Sequence, residues 1–396
     1  MTIRPVAITP TSHVCWGVVE ENLLLFNMSD RRLHVLNNTA AMVWAMADGT
    51  TTIDSLIETL SAEYQTSAAD IEDDVREVTA RLIESGLCGY IDDGGDVWTP
   101  PSMPSPEGLE LPDFTEDGNI GPYNAMGVAV GISVADRILR IELERVLAPL
   151  ADAAMDTSRG RLVYHIDVDE LGFNLRANDD YLARGTTRPL ALRALLTDMN
   201  SGAIGFIDDA LVLHAAAAEI RGSIIVMPGV ANSGKSTLVA QLCERGAAYL
   251  TDEAVAVGHE GISARPFAKS ICVERGSQQK LANLLPEGES TARGAIWDLD
   301  PRDIGPGAIS TGGKINGLVF PIYRPHTPTP IFRKMARVET MHRLLANSFD
   351  FSAVGQPAFA VLIRLANLVD AYELAHGGQN HLGLVEGLAR DQANAA

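Results

Sequence analysis

The chain has 396 residues, 46% of them hydrophobic, which is enough for two or three domains that each bury a core. Its 51 acidic and 31 basic residues leave a formal net charge of −20, so most of the surface repels DNA, RNA and anionic membranes, and no nucleic-acid or membrane partner is expected. No apolar run approaches the roughly 18 residues that span a bilayer. The opening MTIRPVAITPTSH has neither the basic flank nor the apolar centre of a signal peptide, so a cytoplasmic address is expected. Cys15, Cys88, Cys243 and Cys272 show no CxxC pair or histidine spacing and read as reduced, structural thiols.

In chain order, residues 14–36 hold the short apolar runs VCWGVV, LLLF and LHVL, parted by polar turns such as NMSDRR, a pattern that predicts a three-stranded meander. Helical periods follow over 39–47, 53–63 and 69–84. Thr52 stands where it can cap the second, and Gly49 and Gly86 stand where helices stop. Between 94 and 123 proline and glycine crowd out either period, which predicts a linker separating a domain over 1–93 from one over 124–396. Beyond it RLVYHIDVDELGFNLRA alternates as an antiparallel hairpin, and a helical stretch covers 190–200. From Ala210 the order is strand, strand, glycine-rich loop, helix over 236–245 and strand over 247–251, a compact α/β unit. The closing segments 338–345 and 358–374 read as helices.

The glycine-rich loop is the strongest signal. In MPGVANSGKSTLV the spacing Gly229-x-x-x-x-Gly234-Lys235-Ser236 is a complete Walker A motif, standing after an apolar strand and before a helix as its mechanism requires. Glycines let successive amides turn inward on phosphate oxygens, and the helix that follows adds its positive end. Gly229, Asn232, Ser233, Gly234, Lys235, Ser236 and Thr237 are the expected ATP-binding residues, with Lys235 on the β- and γ-phosphates and the Ser236 hydroxyl on Mg2+.

Seventeen residues after Lys235 the next strand ends in YLTDEAV. Asp252 and Glu253 there can divide labour, one accepting a proton from an attacking hydroxyl and one holding magnesium, although two acids in a solvated turn would look the same. His214, fifteen residues before Gly229, sits in an apolar strand where a satisfied core histidine is the commoner case; the four alanines after it allow close approach of another backbone or a ligand. Of three further cations, Arg265, Lys269 and Lys314, each reads first as a surface residue. Lys314 in STGGKING is the best candidate to neutralise a transferring phosphoryl group, because two glycines give it a mobile loop.

The stretch LHAAAAEIRGSIIVMPGVANSGKSTLVAQLCERGAAYLTDE resembles the core of the HPr kinase/phosphorylase family and of HPr kinase-related peptide kinases. The resemblance implies that His214 neighbours the catalytic carboxylate, that Asp252 is the general base and that Glu253 is the metal-side acid. It also implies ATP and Mg2+ as cofactors and a homo-oligomer, since such kinases assemble into rings. The family pair is normally Asp-Asp, and the loop interior VANS lacks the serine-glycine step of HPr kinases, so HPr itself is not the expected acceptor.

Residues 14–90, above all HVLNNTAAMVWAMADGTTTIDSLIETLSAEYQTSAADIEDDVREVTARLIESGLC, are similar to the PqqD-like family, winged-helix domains that recognise peptides in the modification of ribosomally made precursors. A sheet edge accepts an added strand. On that likeness the edge is Arg32, Leu33, His34, Val35 and Leu36, with Val75, Val78 and Leu82 of the 69–84 helix lining the groove, unless those three are a core stripe. Arg31 and Arg32 would meet acidic leader residues. The fold expected is therefore an α+β winged-helix N-terminal domain followed by an α/β P-loop, HPr kinase-like domain. The function expected is an ATP-dependent kinase that phosphorylates a hydroxyl of a captured precursor peptide. A kinase for a free amino acid and a nucleotide-switched peptide chaperone without catalysis are the alternatives.

Overall fold

Asn37, Thr52 and Ser67 each turn a side-chain oxygen onto the backbone N–H three residues on, at Ala40, Ser55 and Asp70, and a helix starts after each. In the computed structural model, which describes residues 7–90, 110–151, 158–178, 180–259, 262–284, 296–307, 309–349, 351–352, 354–378 and 380–395, these are α1 (Asn38–Ala45), α2 (Ile53–Glu63) and α3 (Ala68–Glu84). They follow strands β1 (Ile8–Pro10), β2 (Val14–Val19), β3 (Asn22–Asn27) and β4 (Arg32–Leu36), and β5 (Cys88–Tyr90) comes after them. The chain goes on through β6 (Asn119–Ala125), β7 (Val128–Val134), α4 (Arg137–Ala151), β8 (Gly160–Asp169), β9 (Gly172–Ala177), β10 (Asp180–Thr186) and α5 (Arg188–Gly205). Next are β11 (Ala210–Ile220), β12 (Ser223–Pro228), α6 (Lys235–Glu244), β13 (Ala248–Thr251), β14 (Ala254–Gly258), β15 (Ser263–Arg265), β16 (Ile271–Glu274), α7 (Arg275–Gln278), β17 (Ile296–Leu299) and α8 (Pro301–Ile304). The last are β18 (Gly313–Tyr323), β19 (Ile331–Lys334), α9 (Arg337–Ala346), α10 (Gln356–Leu368), β20 (Ala371–His376) and α11 (Leu382–Ala395).

Two units result, Met1–Pro101 with Ser352–Asn367, and Ser102–Phe351 with Leu368–Ala396. In the first, β2, β3 and β4 form the meander that the apolar runs predict. Period-two alternation sends Leu23 and Leu25 to a core with Val43, Leu56, Leu60, Val75 and Leu82 of the three helices. Val75 and Leu82 are thus 1% and 3% exposed core residues, and only Val78 of the expected groove stripe is partly open. The opposite sheet face is covered by α10. Phe359 stacks on Phe26 at 5.9 Å, and Ile363 lies so close over Gly17 that a Cβ there would stand 2.6 Å from it. The region expected as a single domain over 124–396 therefore lends one helix to the N-terminal unit.

The second unit holds a five-stranded sheet, β10-β9-β8-β7-β6, with α4 and α5 packed on it through Leu139, Leu143, Leu195 and Met199. Strand β6 begins at Asn119, inside the expected linker, whose 94–109 portion lies outside the described residues. The larger sheet runs β12-β11-β14-β15-β18-β20-β19, with β13 also on β11 and β12 also on β18. Of its parallel members β12, β18 and β20, the whole of β12 and residues 318–320 of β18 are buried and almost entirely apolar, as sheets covered on both faces require. The helical pattern over 358–374 ends early: α10 stops at Leu368 and Ala371–His376 is a strand. There Leu374 and Ala375 gain ladder partners on both β18 and β19 and become 0% and 2% exposed. Among the described residues no helix is long and apolar enough to cross a membrane.

Candidate functional site

Strand β11 organises the site. Its first half pairs with β14, His214 opposite Ala254, and its second half with β13, Ala217 opposite Thr251; the chain makes a turn between these two ladders, where the Glu253 carbonyl still accepts from the Ala215 N–H at 3.1 Å. That turn is Asp252-Glu253. Thr251 Oγ1 holds it by accepting from the backbone N–H of Glu253 at 3.1 Å and of Ala254 at 3.3 Å. On its other side β11 pairs with β12, Ala215 opposite Pro228, and the His214 carbonyl accepts from the Gly229 N–H at 3.3 Å. Ala215 to Ala218 are all fully buried, and their small side chains bring the glycine-rich loop and the acid turn to the same strand end.

The loop is tight for steric reasons. A Cβ on Gly229 would stand 2.5 Å from Ser233 Oγ, Asn232 has φ +63°, and Gly234, at φ +95°, begins α6 with no side-chain cap. The first amides of α6 therefore point out of the helix without a side-chain acceptor. Lys235 folds back so that its Nζ donates to the carbonyls of Gly229 at 2.6 Å and Val230 at 2.9 Å. Burial lowers its pKa to about 8, against the pull of Glu253 and Asp252. Ser233 Oγ is buried without a hydrogen-bond partner among the described residues.

A cavity of about 360 Å³ joins these parts. His214, Asn232, Gly234, Lys235, Ser236, Thr237, Asp252 and Glu253 all line it, so most of the expected loop residues and all the expected catalytic side chains meet in one place. Asp252 is 3% exposed and fully engaged. Its Oδ1 accepts from Tyr249 Oη at 3.1 Å and Lys269 Nζ at 2.9 Å, and its Oδ2 from the Cys272 N–H at 3.0 Å. Glu253 is looser, 3.7 Å from Lys269 Nζ and 4.0 Å from His214 Nε2. Burial first, and then the Lys235 charge, lowers the His214 pKa to about 4, so its imidazole is neutral at pH 7.

The cations rank differently from the sequence expectation. Lys314 lies on β18, exposed, opposite Ser263, and no mobile loop carries it; Gly312 before it is packed so that a Cβ would stand 2.3 Å from the Ala264 carbonyl. Arg265 forms a two-pronged pair with Asp209, at 2.9 and 2.8 Å, away from this cavity. Lys269, 7% exposed, is the cation at the acids: burial works against its charge, but Asp252 and Glu253 outweigh that and raise its pKa above the usual lysine value. The run RPFAKS gives one hint, a lysine directly after the buried Phe267 and Ala268. Tyr249, Lys280, Tyr323 and His376 also belong to this site or its rim and carry no local signal.

A second cavity of about 280 Å³ meets the first at Glu253 and Cys272. It is lined by Leu147 of α4 and by Arg193, Leu196, Thr197 and Asn200 of α5. Among the described residues no three histidine, cysteine, aspartate or glutamate side chains cluster as metal ligands. The donors present, Ser236 and the two acids, suit a magnesium ion that takes the rest of its oxygens from phosphate and water.

In the first unit the expected strand β4 pairs with β3 alone among the described residues, with Arg32 and Val35 exposed. The other edge is closed. Gln356 of α10 accepts from the Trp16 N–H at 2.9 Å and donates to its carbonyl at 2.8 Å, while Asn367 accepts from the Glu20 N–H at 3.2 Å and donates to the Val18 carbonyl at 2.8 Å.

Residues 22–87, from β3 through α3, match the family model of coenzyme PQQ synthesis protein D (PqqD). Among solved structures, the HPr(Ser) kinase/phosphatase from Coxiella burnetii aligns over 46% of this chain and 97% of its own at 16% identity, with a TM-score of 0.26. A likeness of that degree carries neither fold nor activity across. No curated protein matches the chain.

Proposed function

We propose that the second unit is an ATP-dependent phosphotransferase and that the first is a PqqD-like, winged-helix module holding the peptide it modifies. The observation that carries the catalytic half is the meeting of Lys235, Asp252 and Glu253 in one cavity beside uncapped helix amides. The phosphate chain of the nucleotide lies along Gly229 to Thr237, with Lys235 leaving the loop carbonyls for phosphate oxygens. Ser236 and an acid of the turn would hold a magnesium ion, which would supply neutralisation of the charge on the transferring group.

The acceptor hydroxyl approaches from the second cavity. Its oxygen bonds to the terminal phosphorus, the bond from that phosphorus to the bridging oxygen breaks, and the hydroxyl proton passes to a carboxylate. The hydrogen bonding favours Glu253 for that proton over Asp252, because both Asp252 oxygens already accept from donors, one of them an ammonium group. Asp252 then anchors Lys269 beside the transferring charge, and Glu253 takes the base role that the kinase resemblance implies for Asp252. A peptide added to the open edge of β4 brings its hydroxyl to high local concentration without tight binding at the second unit.

The test is mass spectrometry of the precursor peptide after incubation with protein, ATP and magnesium. A gain of about 80 Da is expected. Lys235→Ala should abolish it while peptide binding survives, and Val35→Glu should weaken peptide binding while ATP binding survives. ATP left intact in the presence of peptide would overturn the reading. One observation favours a kinase for a small molecule instead, the 280 Å³ size of the second cavity; phosphate transfer to free serine, with none to peptide, would select it.

A further inference from the structure

The two flanks of β12 bring different chemistry to the glycine-rich loop. On one flank β11 carries the turn with Asp252 and Glu253; on the other lie β18 and then β20, both parallel to β12. These three parallel strands end at one sheet edge, at Pro228, Tyr323 and His376. Ligands of such sheets occupy the crevice outside the carboxyl ends of the strands. A phosphate chain on the loop with its terminal group toward the acids therefore has its other end at Tyr323 and His376, which line the same cavity.

The side chains there are built for a ligand. His376 is 3% exposed, and neither ring nitrogen has a hydrogen-bond partner among the described residues. Its ring is stacked on His381 at 4.1 Å and meets Tyr323 edge-on at 5.9 Å, and its Nε2 stands 3.7 Å from where a Gly234 Cβ would be, at the start of α6. Burial, then His381 and Lys280, lowers its pKa to about 4. A neutral imidazole offers one donor and one acceptor, the pair that a nucleobase edge complements. Lys280 Nζ lies 3.6 Å over the Tyr323 ring, a place a stacked base would take, and the ammonium group then has sugar or phosphate oxygens within its reach.

We propose that Tyr323, His376 and Lys280 form the nucleoside half of this site, with the base stacked on Tyr323, its edge hydrogen-bonded to His376, and Lys280 on the sugar-phosphate side. This rests on the nucleotide reading above and adds to it a selection of nucleoside triphosphates over bare polyphosphate. Calorimetric titration with Mg-ATP and with Mg-tripolyphosphate, on wild type and on the His376→Ala, Tyr323→Ala, Tyr323→Phe and Lys235→Ala variants, tests it. Wild type should prefer ATP. His376→Ala and Tyr323→Ala should each lose about tenfold in ATP affinity, as expected for one stacking or hydrogen-bonding contact. Their tripolyphosphate affinity should be unchanged, which also shows that they fold, and Tyr323→Phe should keep the ATP affinity. Lys235→Ala should weaken both ligands. Equal affinity of wild type for the two ligands, or alanine variants that lose both or neither, would overturn the nucleoside site while the phosphate loop stands. No binding of either ligand to wild type would overturn both.

Discussion

Lys269 and Asp252 are 17 residues apart in sequence and 2.9 Å apart in space, and both are almost wholly shielded from water. Breaking such a pair by removing one partner leaves an uncompensated buried charge. Lys269→Met should therefore lower stability by about 3 kcal/mol in chemical denaturation and abolish phosphoryl transfer, whereas Lys314→Met should change either little, within about 0.5 kcal/mol for stability.

Lys235 makes a pH prediction with a definite sign. Its pKa in the folded protein, about 8, lies below the ordinary 10.5, so between those values the unfolded chain binds more protons and this group's contribution to stability rises with pH. Phosphate binding needs the charged form. Affinity for ATP should fall as pH rises from 7 to 9, by roughly tenfold, and Lys235→Arg should flatten that profile because an arginine stays protonated. Calorimetry across that range checks both.

At the scale of elements, α10 decides which sheet edge of the first unit is open. Two side-chain amides stand in for a neighbouring strand along β2, and the charge and alternation of β2 itself say nothing of this. Removing both with Gln356→Ala and Asn367→Ala takes the amide partners from the N–H groups of Trp16 and Glu20 and from the carbonyls of Trp16 and Val18. Melting of the first unit should fall by an amount equivalent to about 1–3 kcal/mol. Unchanged melting would show that the amides follow the strand without supporting it.

The helical pattern over 358–374 shows the limit of a local signal. The run LIRLANLVDAYELAH keeps apolar residues near helical spacing, yet Tyr372 stacks on Phe332 of β19 at 4.7 Å and the segment closes the ladder between β18 and β19. Nonlocal pairing outweighs helix propensity there. The helices over 53–63 and 69–84 are legible because their signals are local: Thr52 caps the first, Gly86 stands past the end of the second, and each carries one apolar face.

For the whole molecule, the return of the chain at 352–367 implies that residues 1–101 alone lack one wall of their core. That fragment leaves Phe26, Leu24 and Gly17 facing water and should show no cooperative melting by circular dichroism. The same fragment joined to 352–368 by a flexible linker should recover a cooperative transition. Cooperative melting of the bare fragment would overturn this account of α10.

Composition, the meander, the capped helices and the glycine-rich loop were readable from the residues alone, since each depends on neighbours within a few positions. Asp252, Glu253 and His214 were readable as candidates through their spacing from that loop. The position of Lys269 at the acids and of Lys314 on β18, the core position of Val75 and Leu82, the strand at 371–376, the helix lent to the first unit, and Tyr323 with His376 beside the loop were settled by the tertiary structure alone. Each of these depends on segments far apart in sequence that meet only when strands pair and cores close, and no local pattern records which distant partner wins.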